Sequence, residues 1–133
     1  MQILSGRGYV YGIEYHIVWC TKYRRKVLLG KIEDRLHDIL NEYAKVNGFS
    51  ILEMNGEADH IHLLINATPQ VYIPSILKGM KGVSARFLFI EFGDELKSKL
   101  YGGHLWNPSY FVQTISDNVE ENVRNYIRSQ KQQ

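Results

Sequence analysis

The chain has 133 residues, 44% of them hydrophobic and 23% charged, which fits one globular domain with its own core and excludes a disordered or low-complexity chain. Its formal net charge of +2 and pI near 8.6 permit a nucleic-acid partner without demanding one. The single cysteine, Cys20, excludes an internal disulfide, and no apolar run is long enough for a membrane span or signal segment, so a cytoplasmic protein with no membrane partner is expected.

Residues 9–20, rich in Tyr, Ile, Val and Trp, predict a first strand. Thr21-Lys22-Tyr23-Arg24-Arg25-Lys26 follows as a compact basic run around one tyrosine. Such runs are as often solvated faces, but Lys and Arg with an interleaved aromatic can track phosphates and stack bases of a single strand. Ile32, Leu36, Ile39, Leu40 and Tyr43 form a helical stripe over residues 31–46, stopped by Asn47-Gly48. Residues 49–54 and 61–67 predict two strands, with Asn55-Gly56 as the turn-prone pair between them.

A second helix is predicted over 71–92, buried along Ile76, Met80, Val83, Phe87 and Ile90 and ended by Gly93. Residues 102–108 predict a loop and residues 110–115 a short strand. A final helix, capped by Ser116 or Asp117, runs to about Gln130. No repeat or Pro/Gly-rich linker divides the chain, so residues 1–133 form one domain. The order β-α-β-β-α-β-α predicts an α+β fold of the split βαβ (ferredoxin-like, RRM-like) kind. That fold is an antiparallel four-stranded sheet with two helices on one face, here with an extra C-terminal helix.

His60-Ile61-His62 is the sharpest local feature. In a strand both imidazoles project to one face while Ile61, Leu63 and Ile65 project to the other, where the first two helices would cover them. Two imidazoles on the uncovered face could hold Zn²⁺, Mn²⁺ or another divalent ion, although His-x-His also arises by chance. Asp59 is placed either to orient a histidine or only to shape the turn. His16, His37 and His104 lack same-face companions at a metal spacing and are expected to be hydrogen-bonded or on the surface, while Cys20 reads as a small strand residue.

Tyr126 and Gln130 lie four apart, on one helix face with Val119 and Val123. Tyr126 could be a packed core tyrosine; a glutamine extending an apolar stripe needs a polar partner, which a metal or phosphate would supply. Arg124 and Arg128 flank Tyr126 and could hold phosphates or remain solvated. A tyrosine attacking a phosphodiester needs help near neutral pH, because its free pKa is about 10. A divalent ion on the scissile phosphate would stabilise the crowded anionic transition state.

Five stretches in chain order carry a family resemblance: 16–28 (HIVWCTKYRRKVL), 59–65 (DHIHLLI), 78–86 (KGMKGVSAR), 105–111 (LWNPSYF) and 123–130 (VRNYIRSQ). The sequence resembles the single-tyrosine HUH transposases of small bacterial and archaeal insertion sequences over nearly its whole length. The resemblance implies that His60, His62 and Gln130 ligate Mg²⁺ or Mn²⁺ and that Tyr126 is the nucleophile, forming a 5′-phosphotyrosine link. It further implies a substrate of single-stranded DNA with hairpins at the element ends, and a homodimer. Lys22, Arg24, Arg25, Arg124 and Arg128 are the expected DNA-binding residues. Nothing in the sequence fixes the final helix on its own sheet, so the partner's sheet is expected to offer it a surface. Two other readings remain at this point: a non-catalytic split-βαβ module binding single-stranded nucleic acid, and a domesticated HUH hairpin endonuclease.

Overall fold

The computed structural model describes residues 4–6, 9–11, 13–100, 102–114 and 119–130. The expected first strand is two elements: β2 (Tyr9–Tyr11) pairs antiparallel with β1 (Leu4–Gly6), and β3 (Ile13–Cys20) enters the main sheet. Then come α1 (Gly30–Val46), β4 (Ser50–Glu57), β5 (His60–Ala67), α2 (Ile73–Lys99), β6 (Phe111–Thr114) and α3 (Val119–Ser129). The main sheet is antiparallel with order β4-β5-β3-β6. The β3-α1-β4 crossover leaves β5 between its two strands, which is the split βαβ arrangement expected from the element order.

Alternation along the strands decides what faces what. Ile17 and Trp19 of β3 and Ile61, Leu63 and Ile65 of β5 enter one core with Leu36 and Leu40 of α1 and Leu77, Met80 and Leu88 of α2. Each such side chain contributes roughly 1.5–3 kcal/mol on burial. A one-residue slip of β5 would expose three of them and drive His60 and His62 into the core, so core packing fixes the register that presents the histidines.

Three local expectations are corrected. Asn55 and Gly56 are not a turn: they lie inside β4, paired with His62 and Ile61, and the chain reverses at Ala58-Asp59. A Cβ on Gly56 would collide with the His60 carbonyl oxygen, so this glycine permits close strand approach rather than reversal. Gly93 does not end α2, which bends at Phe92 (φ −128°) and continues to Lys99 with Leu96 buried. The buried side of α2 runs through Ile76, Leu77, Met80, Ser84 and Leu88, leaving Phe87 40% and Ile90 68% exposed. Ser84 looks polar in the sequence but belongs to that stripe, because it accepts the buried Trp106 Nε1–H at 3.0 Å.

Ile115, Ser116 and Asp117, named above for the last strand end and cap, lie outside the described residues. α3 rests on β3 and β6. No helix among the described residues is long and apolar enough to cross a membrane.

Candidate active site

His60 and His62 leave β5 on the face away from the core. On that face β3 sets Cys20 opposite His60 and Val18 opposite His62, and β6 sets Phe111 opposite Val18. Tyr126 of α3 lies against Phe111, ring centroids 5.7 Å apart. One strand, β3, therefore separates the histidine strand from the strand under the tyrosine, a backbone separation of about 10 Å.

Each histidine has a neighbour that fixes its ring. Asp59 Oδ1 accepts from His60 Nδ1 at 2.9 Å, leaving Nε2 as the open nitrogen. Burial pushes the Asp59 carboxyl up, but the hydrogen bond from His60 and the Arg24 charge outweigh it and hold the group ionised below its usual range. His62 Nε2 lies 2.9 Å from Nδ1 of His16, with ring centroids 5.2 Å apart. Burial, then the nearby His16 and His60, lowers the His62 pKa, favouring the neutral imidazole a metal requires. His16 is thus hydrogen-bonded as expected, but to a site histidine. Its alternation with Val18 and Cys20 was legible; that β3 pairs with β5 in this register was not.

Tyr126 and Gln130 meet at a residue the sequence reading passed over. Ser109 Oγ lies 2.9 Å from the Tyr126 hydroxyl, 2.9 Å from Gln130 Oε1 and 3.0 Å from Asn107 Oδ1. Both amide oxygens only accept, so the single Ser109 hydrogen goes to one of them and the Tyr126 O–H donates into Ser109 Oγ. Burial raises the phenol pKa, partly offset by Ser109, so the hydroxyl is protonated as it stands. Gln130 is 3% exposed and has the polar partner its position required.

The loop carrying Ser109 is itself held. Asn107 N–H donates to the Cys20 carbonyl at 2.9 Å, and Lys81 Nζ donates to the carbonyls of Asn107 (2.6 Å) and Ser109 (3.0 Å). Burial of Lys81 lowers its pKa to about 8, and burial raises that of the Cys20 thiol to about 11, so Cys20 stays an uncharged strand residue. Of the α3 stripe, Val123 and Gln130 are buried by their own chain and Tyr126 is partly buried.

The basic run forms a 3-10 turn over Lys22–Arg24, with Tyr23 52% exposed and Lys22 Nζ 5.0 Å from its ring centroid. Arg25, Arg124 and Arg128 are exposed. Arg24 is not: its guanidinium bonds Asp59 and the Ile127 carbonyl.

The donor set suits a divalent ion. Glu57, Asp59 and His60 bring ligand atoms within 4.8 Å of one another. Asp59 is already engaged by His60 and Arg24, which places it to orient His60. Two neutral imidazoles and the Gln130 amide oxygen would leave the ion its full charge, once His62 exchanges His16 and Gln130 exchanges Ser109.

The family model described as "Transposase IS200 like" matches residues 9–130. The ISDra2 transposase TnpA of Deinococcus radiodurans is 48% identical over 130 residues, covering 98% of this chain and 92% of its own. The transposase for insertion sequence element IS200 of Salmonella typhimurium is 34% identical over 117 residues, covering 88% and 76%. Among solved structures, a candidate transposase of Deinococcus radiodurans superposes with TM-score 0.88 at 44% identity, covering 96% of this chain and 97% of its own. A REP-associated tyrosine transposase bound to a REP hairpin has TM-score 0.60 at 16% identity, covering 96% and 68%, a likeness of fold.

Proposed function

The chain belongs to the IS200-like transposases, and from that premise we propose that it cuts and rejoins single-stranded DNA at hairpin-bearing element ends, using Tyr126 as nucleophile. His60, His62 and Gln130 would hold Mg²⁺ or Mn²⁺. The observation that supports this most is the placing of the Tyr126 hydroxyl and Gln130 amide oxygen on one serine, on the sheet face that carries the histidine pair.

In the reaction the Tyr126 oxygen forms a bond to phosphorus as the bond to the 3′ oxygen breaks. The phenol proton is given up and the departing 3′ oxygen gains one, leaving a 5′-phosphotyrosine and a free 3′-hydroxyl. Attack by a 3′-hydroxyl on that link reverses the step and joins strands, so no nucleotide cofactor is consumed. A bound divalent ion would draw charge from the phosphate and stabilise the anionic transition state. Ser109 keeps the Tyr126 hydroxyl aimed, and Asp59 keeps His60 with Nε2 outward.

Lys22, Arg25, Arg124 and Arg128 would hold backbone phosphates, with the exposed Tyr23 ring available to a base. Two element ends require two sites, which a homodimer supplies. A DNA substrate and a single buried thiol suit the cytoplasm. The test is incubation with a labelled single-stranded element end and Mn²⁺. A covalent protein–DNA band is expected, lost in Tyr126→Phe while hairpin binding persists; an undiminished band from the Phe variant would move the nucleophile elsewhere.

A further inference from the structure

Arg24 sits in an unusual backbone. Tyr23 (φ 54°) and Arg24 (φ 52°) are consecutive non-glycine residues in the left-handed region, where side chains are strained. Two such residues persist only where their surroundings over-determine them. Here the turn is docked on the reversal that carries Asp59: Thr21 N–H donates to the Asp59 carbonyl at 3.0 Å, and Val27 and Leu28 N–H donate to the Ala58 carbonyl at 3.0 and 2.9 Å. Thr21 Oγ1 closes the turn on the Arg25 carbonyl at 2.7 Å.

The strained backbone aims one guanidinium in two directions. Arg24 Nε and Nη2 both donate to Asp59 Oδ2, at 2.9 and 2.8 Å, and Nη1 donates to the Ile127 carbonyl at 3.2 Å. The other Asp59 oxygen holds His60 Nδ1. Ile127 adjoins Tyr126 in the last turn of α3, where carbonyls have no partner within the helix and the helix dipole favours a cation. Ser129 Oγ serves the neighbouring Tyr126 carbonyl at 2.7 Å. An unbroken line of contacts thus runs from the tyrosine helix through Arg24 and Asp59 to His60.

We propose that Arg24 is a positioning residue that couples the seating of α3 to the orientation of His60, so that a docked tyrosine helix and a correctly presented metal ligand stabilise each other. The proposal rests on the reading of His60 and Tyr126 given above. By reciprocity, whatever orders His60 also favours the seated helix, and an undocked helix loosens Asp59. Only a planar fork reaches both partners; a lysine in its place keeps the charge but offers a single point.

The test compares wild type with Arg24→Gln, Arg24→Lys, Asp59→Asn and the Arg24→Gln/Asp59→Asn pair, using amide hydrogen exchange in residues 119–130 and Mn²⁺ affinity by titration calorimetry. Loss of one charged hydrogen bond should speed α3 exchange at least about fivefold in both Arg24 variants. Mn²⁺ affinity should fall several-fold in step, and the double variant should be little worse than Asp59→Asn alone. Arg25→Gln is the control, expected to flatten the salt dependence of DNA binding without touching α3.

Exchange within about twofold of wild type in Arg24→Lys, or Mn²⁺ affinity unchanged while α3 loosens, would overturn the coupling. So would an Arg24→Gln variant that behaves like Arg25→Gln, which would make Arg24 a phosphate ligand. Neither readout uses cleavage, so failure of Tyr126 as nucleophile shows separately, in the labelled-strand assay.

Discussion

His60 and His62 sit on β5, which pairs with β3 along all its residues and with β4 along nearly all, over a core that forbids a slip of register. Tyr126 sits on α3, 11 residues long, whose contacts include the Ser109 hydroxyl, the Phe111 ring, Arg24, the buried Val123 and a hydrogen bond from Asn122 to Gln113 of β6. The histidine half of the site is therefore built into the fold, whereas the tyrosine half is docked onto it by side-chain contacts. Isolated helices of this length are marginal in water, so α3 depends on its docking to the sheet. A fixed histidine pair beside a docked tyrosine suits the proposed reaction, in which a strand end carried as a phosphotyrosine is delivered to a second strand.

The largest effects are expected at the fixed half. His60→Ala and His62→Ala should each abolish metal-dependent cleavage. Stability should fall by only about 1–2 kcal/mol for His60, whose bond to Asp59 is lost, and less for the more exposed His62. Thermal unfolding alongside cleavage checks this; a fall of several kcal/mol in both would make them core residues. Next comes the tyrosine half. Mixing His62→Ala with Tyr126→Phe, each inactive alone, restores cleavage if α3 can seat on the partner's sheet. If heterodimers form and stay inactive, the seat on its own sheet seen here is the working one.

Smaller effects probe the seat itself. Ser109→Ala should speed α3 exchange and slow cleavage about tenfold, since it removes one hydroxyl shared by Tyr126 and Gln130. Wild-type rates would leave Ser109 without a positioning role. Smallest is the pH response of Lys81. Below pH 8 the amine is charged in folded and unfolded chains alike, and its burial cost is fully present. Between about pH 8 and the unfolded value near 10.5 the unfolded chain holds the extra proton, so wild type should gain on the order of 1 kcal/mol over Lys81→Met. A flat difference across that window would mean that Lys81 titrates normally.

What the sequence made legible follows the same division. Period-two alternation fixes the shared face of His60 and His62, and i,i+4 spacing fixes that of Tyr126 and Gln130. Element order sufficed for the split βαβ sheet. The contacts joining the halves were hidden for specific reasons. His16 reaches His62 only through strand register, Ser109 lies in a loop with no periodicity, and Arg24 depends on left-handed backbone at a residue type that rarely adopts it. Asn55-Gly56 offered a better turn signal than Ala58-Asp59, and core burial overrode it. A polar Ser84 inside the α2 stripe likewise diverted the apolar pattern to Phe87 and Ile90.

In the proposed reaction the oxygen of Tyr126 becomes bonded to DNA. Trypsin cuts after Arg124 and Arg128, so digestion of the Mn²⁺-dependent adduct isolates Asn125-Tyr126-Ile127-Arg128 as a short peptide suited to mass spectrometry. This peptide is expected to carry the 5′-nucleotide on its tyrosine. A nucleotide found on a peptide containing Tyr23 or Tyr110, with Tyr126 unmodified, would contradict it.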